Sequence, residues 1–227
     1  MRTLVLSDIH GAYRALLQCF DRSGFNPARD RLIFLGDAVD GWSQSPESVQ
    51  ALMEIDHLIH LLGNHDMWAI EWLLYDRRPT IWLEQGGRAT IEAYERPGWR
   101  HSKTDHLSFL ASARLYHVDG ENRLFVHGGI EPDVPLDEQD KELIVWDRRM
   151  FGHLTGVPGY KEVYVGHSPT ISEGTAAPLN FGGSDNIWRM DTGAGWWGRL
   201  TIMEIDTRKY WQSDEVTGLY PGEAGRM

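Results

Sequence analysis

Hydrophobic positions along the first third of the chain alternate between two periods. Residues 3–7 form an apolar run of strand length. In residues 12–23, Ala15, Leu16, Cys19 and Phe20 recur at helical spacing, and Gly24 is placed to end the helix. Residues 31–35 read as a second strand. Ser45-Pro46 marks a helix start that runs through Val49, Leu52 and Met53. Residues 57–62 read as a third strand and residues 67–75 as a third helix. This β-α-β-α-β order predicts a mainly parallel sheet covered by helices. Residues 77–114 read as helical, broken at Gly86-Gly87 and Pro97-Gly98. From Leu115 the pattern turns to strands, at 115–118, 123–126, 162–165, 187–190, 200–205 and 209–212. The expected fold class is α/β, with a second sheet face to face with the first and helices outside.

The chain has 227 residues, 41% of them hydrophobic and 24% charged, which describes a globular protein long enough for a sizeable core. No repeat, low-complexity stretch or linker interrupts it, so one domain over 1–227 is expected. The formal net charge is −11, which argues against non-specific nucleic-acid binding and against an anionic membrane surface. No apolar run approaches the ~20 residues of a membrane helix. Asp8 interrupts the N-terminal run too early for a signal peptide, and Cys19 is the single cysteine. A cytoplasmic location is expected. Ten tryptophans are a high count. Most are expected in the core, while Trp196-Trp197 are candidates to border a pocket, and Trp42 with them to stack a base.

The chemistry gathers where the predicted strands stop. The first strand ends in Asp8-Ile-His10-Gly, the second in Gly-Asp37-Ala-Val-Asp40 and the third in Gly-Asn64-His65-Asp66. Later strands end in His127-Gly-Gly and Gly-His167. Ligands bind outside the carboxyl ends of strands in open α/β sheets, and glycine lets the backbone turn so that separate strands converge. Oxygen and imidazole donors without thiolate suit Mn²⁺, Fe or Zn²⁺.

Together these motifs resemble the calcineurin-like metallophosphoesterases, and within them the bacterial and phage branch of the phosphoprotein phosphatases. The resemblance runs from Leu4 to about Ser213 and includes Asp191-Thr-Gly-Ala-Gly and Gly198-Arg-Leu-Thr. It implies a sandwich of two mixed sheets flanked by helices, and a two-metal centre, most simply with Mn²⁺. Asp8, His10 and Asp37 would hold the first ion. Asp37, Asn64, His127 and His167 would hold the second, with Asp37 bridging. His65 would protonate the leaving group with Asp40 orienting it, and an imidazole titrating near neutrality suits that role. Asp66 reads as structural. Arg148, in Trp146-Asp-Arg148, would bind phosphate, with Arg149 as the alternative. The substrate would be a phosphoprotein or a small phosphoester.

Two departures from the family bear on substrate. Typical members continue Gly-Asp-X-Val-Asp with Arg-Gly, whereas this chain has Gly41-Trp42, so one usual phosphate-binding arginine is missing. Nuclease-like relatives often carry Gly-His-X-His, and here proline (Pro169) stands at the second histidine. The leading expectation is a serine/threonine-type phosphomonoesterase. The alternatives are a dinucleoside polyphosphate hydrolase or phosphodiesterase on the same scaffold, and a scaffold protein with a decayed site. His57, His60, His101, His106, His117 and His153 carry no motif. The acidic run from Asp137 to Asp140 reads as a solvated helix start.

Overall fold

The computed structural model describes residues 1–98, 102–148, 156–181 and 186–226. His101, Arg149 and His153 lie outside the described residues.

The first half builds a sheet with the order β10-β9-β1-β2-β3. Strands β1 (Thr3–Leu6), β2 (Arg31–Phe34) and β3 (Leu58–His60) pair in parallel. Helix α1 (Tyr13–Ser23) links the first two, and α2 (Ser45–Met53) the second and third. β9 (Thr201–Glu204) and β10 (Tyr210–Gln212) return antiparallel on the other edge. The second sheet has the order β4-β5-β6-β8-β7. In it β5 (Arg123–Val126), β6 (Glu162–Val165) and β8 (Ile187–Arg189) are parallel. The antiparallel edges are β4 (Tyr116–Val118) and β7 (Leu179–Phe181).

Strand alternation sorts the core into layers. Val5 and Ile33 of the first sheet point inward and share one cluster with Phe125 and Tyr164 of the second. Leu4, Leu6, Leu32 and Phe34 point the other way, onto Ala15, Leu16, Cys19, Val49 and Leu52 of the two linking helices. On the far side of the second sheet, Leu124, Val126, Val163 and Val165 pack on Ile144 and Val145 of α7 (Lys141–Trp146). A period of two along each strand thus produces the expected two-sheet sandwich with helices outside.

Three local readings change. Helix α3 (Asn64–Tyr75) begins three residues before the expected 67, so Asn64, His65 and Asp66 form its first turn. Gly63 is its N-cap residue, and its N–H donates to the Asp66 carboxylate at 3.2 Å. The acidic run is a short 3₁₀ turn, Leu136–Glu138, and α7 starts only after Asp140, whose side chain caps it through the Glu142 N–H. β7 was not expected, because three residues after a proline carry almost no periodic signal. The middle segment is helical as expected, through α4 (Thr80–Trp82), α5 (Arg88–Glu95) and α6 (Lys103–Ala111). No helix among the described residues is long and apolar enough to cross a membrane.

Candidate metal centre

The C-terminal ends of β1, β2, β5 and β6 and the start of α3 meet at one point above the sandwich. Among the described residues, eight non-glycine positions have positive φ, and five of them are Asp8, His10, Asp37, Asp40 and His167. Backbone strain therefore concentrates where the predicted site residues stand, as it does at functional sites. Asp66 anchors this crossing. Its carboxylate accepts the N–H groups of Asp37 (2.8 Å) and Ala38 (2.9 Å), the structural role expected of it.

Two buried triads share Asp37: His10, Asp37 and His65 on one side, and Asp37, His127 and His167 on the other. The ligand atoms of each lie within 4.8 Å of one another. The His10 Nδ1–H donates to the Val39 carbonyl (3.0 Å) and the His127 Nδ1–H to that of Leu35 (2.8 Å). These bonds turn both Nε2 atoms toward Asp37 Oδ2, at 3.7 Å from His10 and 3.4 Å from His127. Asn64 Oδ1 adds a further acceptor 3.1 Å from His127 Nε2. Asp37 Oδ2 is buried and has no hydrogen-bond partner among the described residues. Lone pairs thus face one another around an orphaned carboxylate oxygen, an arrangement that divalent cations resolve. The donor set fits a binuclear metal site.

Asp8 and His65 stand differently from expectation. Asp8 Oδ1 comes to 3.9 Å of His10 Nε2, while its carboxylate also accepts from the Ser7 hydroxyl and from the His167 N–H at 3.1 Å. His65 enters the triad with His10 and Asp37, where Asp8 was expected. The expected His65–Asp40 pair is present. The His65 Nδ1–H donates to Asp40 Oδ2 at 2.8 Å, and His65 Nε2 is buried without a partner. Asp40 also accepts from the Trp82 indole N–H (2.6 Å) and the Thr90 hydroxyl (2.7 Å). Neither partner was foreseen.

Burial sets the electrostatics. It pushes His10 down to about 3, with the Arg226 charge adding to it. It pushes His167 down to about 2, with His127 and Arg148 adding. Both imidazoles are therefore neutral, the form that ligates metal. Burial also opposes charge on Asp37 and His127, but each stabilises the other, so Asp37 falls well below its ordinary value and His127 rises. Burial raises Asp8 and Asp40 well above the carboxylate range, and Asp191 to about 6. Burial and then the Arg226 charge hold His65 well below its ordinary value.

Arg148 reaches the centre, and its Nε–H donates to His167 Nε2 at 3.0 Å. Trp42 does not border a pocket. It is fully buried, donates its indole N–H to the Ala194 carbonyl (2.7 Å) and stacks on Tyr220. Trp196 lies under the Arg226 guanidinium, and Trp197 lines a separate cleft with Ile171 and Thr217. The tryptophans beside the centre are instead Trp68, edge-on to His65 at 5.0 Å, and Trp146, edge-on to Trp68 at 4.9 Å. Arg226 was also missed. Its guanidinium Nη1 lies 3.1 Å from His10 Nε2.

Comparison with known proteins agrees with this geometry. A symmetrical bis(5'-nucleosyl)-tetraphosphatase of Pseudomonas fluorescens (strain SBW25) is 25% identical over 277 aligned positions, covering 91% of this chain and 92% of the relative. Serine/threonine-protein phosphatase 1 of Salmonella typhimurium (strain LT2) is 26% identical over 211 positions, covering 88% and 90%. Among solved structures, one described as a putative diadenosine tetraphosphatase superposes with TM-score 0.68 at 17% identity, covering 93% of this chain and 92% of that one. A metallophosphoesterase from Sphaerobacter thermophilus gives TM-score 0.60 at 18% identity, covering 97% and 91%. Both share the fold. The model of the calcineurin-like phosphoesterase family matches residues 1–198, and the chain is a member of that family, a metal-dependent phosphoesterase.

Proposed function

We propose that this phosphoesterase hydrolyses dinucleoside polyphosphates, splitting a bis(5'-nucleosyl) tetraphosphate with one water into two nucleoside diphosphates. The observation that carries the reading is a cleft of about 490 Å³ that opens at Gly41 and is lined by Ser43, Leu83, Arg88, Ala89 and Gly225. Gly41 lies against the His10 backbone, so the cleft adjoins the segment that carries His10, and none of the metal-centre side chains lines it. It has the size of a small-molecule site, with Arg88 and Arg96 set among Glu84, Glu92 and Glu223, and Arg88 is the exposed cation that a chain of phosphates would meet. Trp146, 37% exposed on the other flank, offers a ring face to a base. The activity named for the Pseudomonas relative points the same way.

In this reading Asp8, His10 and Asp37 would hold one cation, and Asp37, Asn64, His127 and His167 would hold the other. Two such cations, when bound, lower the pKa of a shared water and offset phosphoryl charge. The chain itself does the rest. Arg148 grips a phosphoryl oxygen from the His167 side. Asp40 fixes the His65 ring through Nδ1, so that Nε2 is the nitrogen free to exchange a proton with the leaving oxygen. The walls formed by Trp68 and Trp146 limit water.

A second reading, a serine/threonine-type phosphomonoesterase, is favoured by length. The Salmonella phosphatase aligns over 211 positions, whereas the tetraphosphatase alignment runs to 277, at least 50 more than this chain has residues. The test is competition between substrates. Mn²⁺-loaded protein is given diadenosine tetraphosphate and a phosphoserine peptide, and the products are separated chromatographically. Diadenosine tetraphosphate should be consumed with the higher kcat/KM and give ADP alone. Faster release of phosphate from the peptide would establish the second reading instead.

A further inference from the structure

The segment after α8 (Val216–Leu219) is tied back over the mouth of the site. Glu223 accepts from the Ser43 N–H (3.0 Å) and the Ser43 hydroxyl (2.8 Å), and the Arg226 N–H donates to the Gly195 carbonyl (2.9 Å). The Arg226 side chain then turns inward and is 6% exposed. Its Nη1–H donates to His10 Nε2 (3.1 Å) and its Nη2–H to Gln85 Oε1 (3.1 Å), and the guanidinium lies over the Trp196 ring at 5.1 Å. The Nε–H is buried with no partner, and among the described residues Arg226 makes no ion pair. Asp8, Asp40 and Asp191 feel its charge, but none touches it, and a buried guanidinium with no carboxylate in contact is costly unless an anion completes it. Arg148 brings a second guanidinium to the same concavity from the His167 side.

The sequence has made room for this side chain. A Cβ at Gly41 would meet Arg226 Cγ at 3.1 Å and the His10 carbonyl at 3.3 Å, and Gly41 has φ +109°. A Cβ at Gly195 would meet His10 Cδ2 at 2.5 Å and Arg226 Cδ at 2.8 Å. Position 41 is also where the expected arginine is missing. We infer that Arg226 is a phosphoryl-binding residue of this site, delivered by the segment after α8, and that Gly41 is the space it needs. A cation on His10 Nε2 would take the lone pair that Nη1–H now occupies, and the freed fork would grip a phosphoryl oxygen opposite Arg148. The inference rests on the phosphoesterase reading but not on the choice between tetraphosphate and phosphoprotein, because both present the same phosphoryl group.

The test is binding of inorganic phosphate to Mn²⁺-loaded protein by calorimetry, with manganese content measured on the same samples. Loss of charge-assisted bonds of this kind corresponds to roughly 10- to 100-fold in affinity. Arg226→Ala should weaken phosphate binding by about that factor while keeping the wild-type manganese content, and guanidinium ion at tens of millimolar should restore part of it. Arg226→Lys keeps the stem over Trp196 and the charge but lacks the fork, and should bind phosphate with intermediate affinity. If Arg226→Ala destabilises the fold, the lysine variant decides. Wild-type phosphate affinity in either variant would overturn the assignment. Tighter phosphate binding in Arg226→Ala would show that the guanidinium obstructs the site, and would overturn it as well. Failure to cleave diadenosine tetraphosphate would leave this result untouched.

Discussion

Asp37 belongs to both triads, so Asp37→Asn isolates the metal contribution to stability. The carboxylate Oδ1 accepts the His65 N–H at 2.9 Å, and an amide oxygen can keep that bond. Oδ2 has no donor and faces the lone-pair nitrogens of His127 (3.4 Å) and His10 (3.7 Å). An amide NH₂ there can donate to His127 but loses the charge attraction between the pair, so the metal-free variant should melt within a few degrees of wild type. Metal separates the two. A ligand at 100 times its Kd stabilises the native state by about 2.7 kcal/mol per site. For a chain of this length 1 kcal/mol moves Tm by about 2–4 °C, so two filled sites should raise wild-type Tm by roughly 10–20 °C. One neutral amide cannot bridge two cations, and the variant should lose most of that rise together with all hydrolysis. Thermal unfolding with Mn²⁺ and with chelator, plus elemental analysis, measures both. A variant with the full metal-dependent rise and two manganese ions per chain would refute the sharing of Asp37.

The other predictions concern the surroundings of the centre. Trp82→Phe removes one of the donors on Asp40 and should destabilise the fold by about 1–3 kcal/mol in denaturant titration. The same variant should lower kcat more than it raises KM, through a misplaced His65; unchanged kcat would detach Asp40 from the reaction. His65→Asn should reduce turnover of a phosphoserine peptide far more than of nitrophenyl phosphate, whose leaving group needs no proton; general-acid catalysis contributes ~10²–10⁴-fold. Equal losses on both substrates would make His65 a positioning group, and a lost metal would make it a ligand. Cys19 is buried, its thiol donates to the Leu200 carbonyl (3.3 Å), and burial raises its pKa from 9.0 to about 12. The unfolded thiol ionises first, so this contribution is intact below pH 9 and is lost toward pH 12, at about 1.4 kcal/mol per pH unit. Cys19→Ala should lack that alkaline slope, and a slope equal to wild type would refute the burial argument.

What the sequence shows and what it hides follow from the range of each interaction. Asp8, His10, Asp37, Asn64, His127 and His167 each close a strand beside glycine, so a local pattern announces them, and the fold carries them to one point. The partners of Asp40 are different. Trp82 and Thr90 lie 42 and 50 residues away on a helical segment whose pattern gives only its packing face. Arg226 meets His10 across 216 residues, and its Gly- and Pro-rich segment has no periodicity at all. The missing arginine at position 41 was the one available sign that a cation had to come from elsewhere. Trp42 reads as a candidate to stack a base because Gly41 and Ser43 flank it, yet the segment carrying Arg226 buries it against Tyr220.

The central claim is that two cations share Asp37 between the His10 and His127–His167 sides. Anomalous diffraction from crystals grown with Mn²⁺ tests it most directly. The account predicts two manganese peaks ~3.5–4 Å apart, with an Asp37 carboxylate oxygen between them. A single peak, or two peaks with Asp37 touching only one, would contradict it.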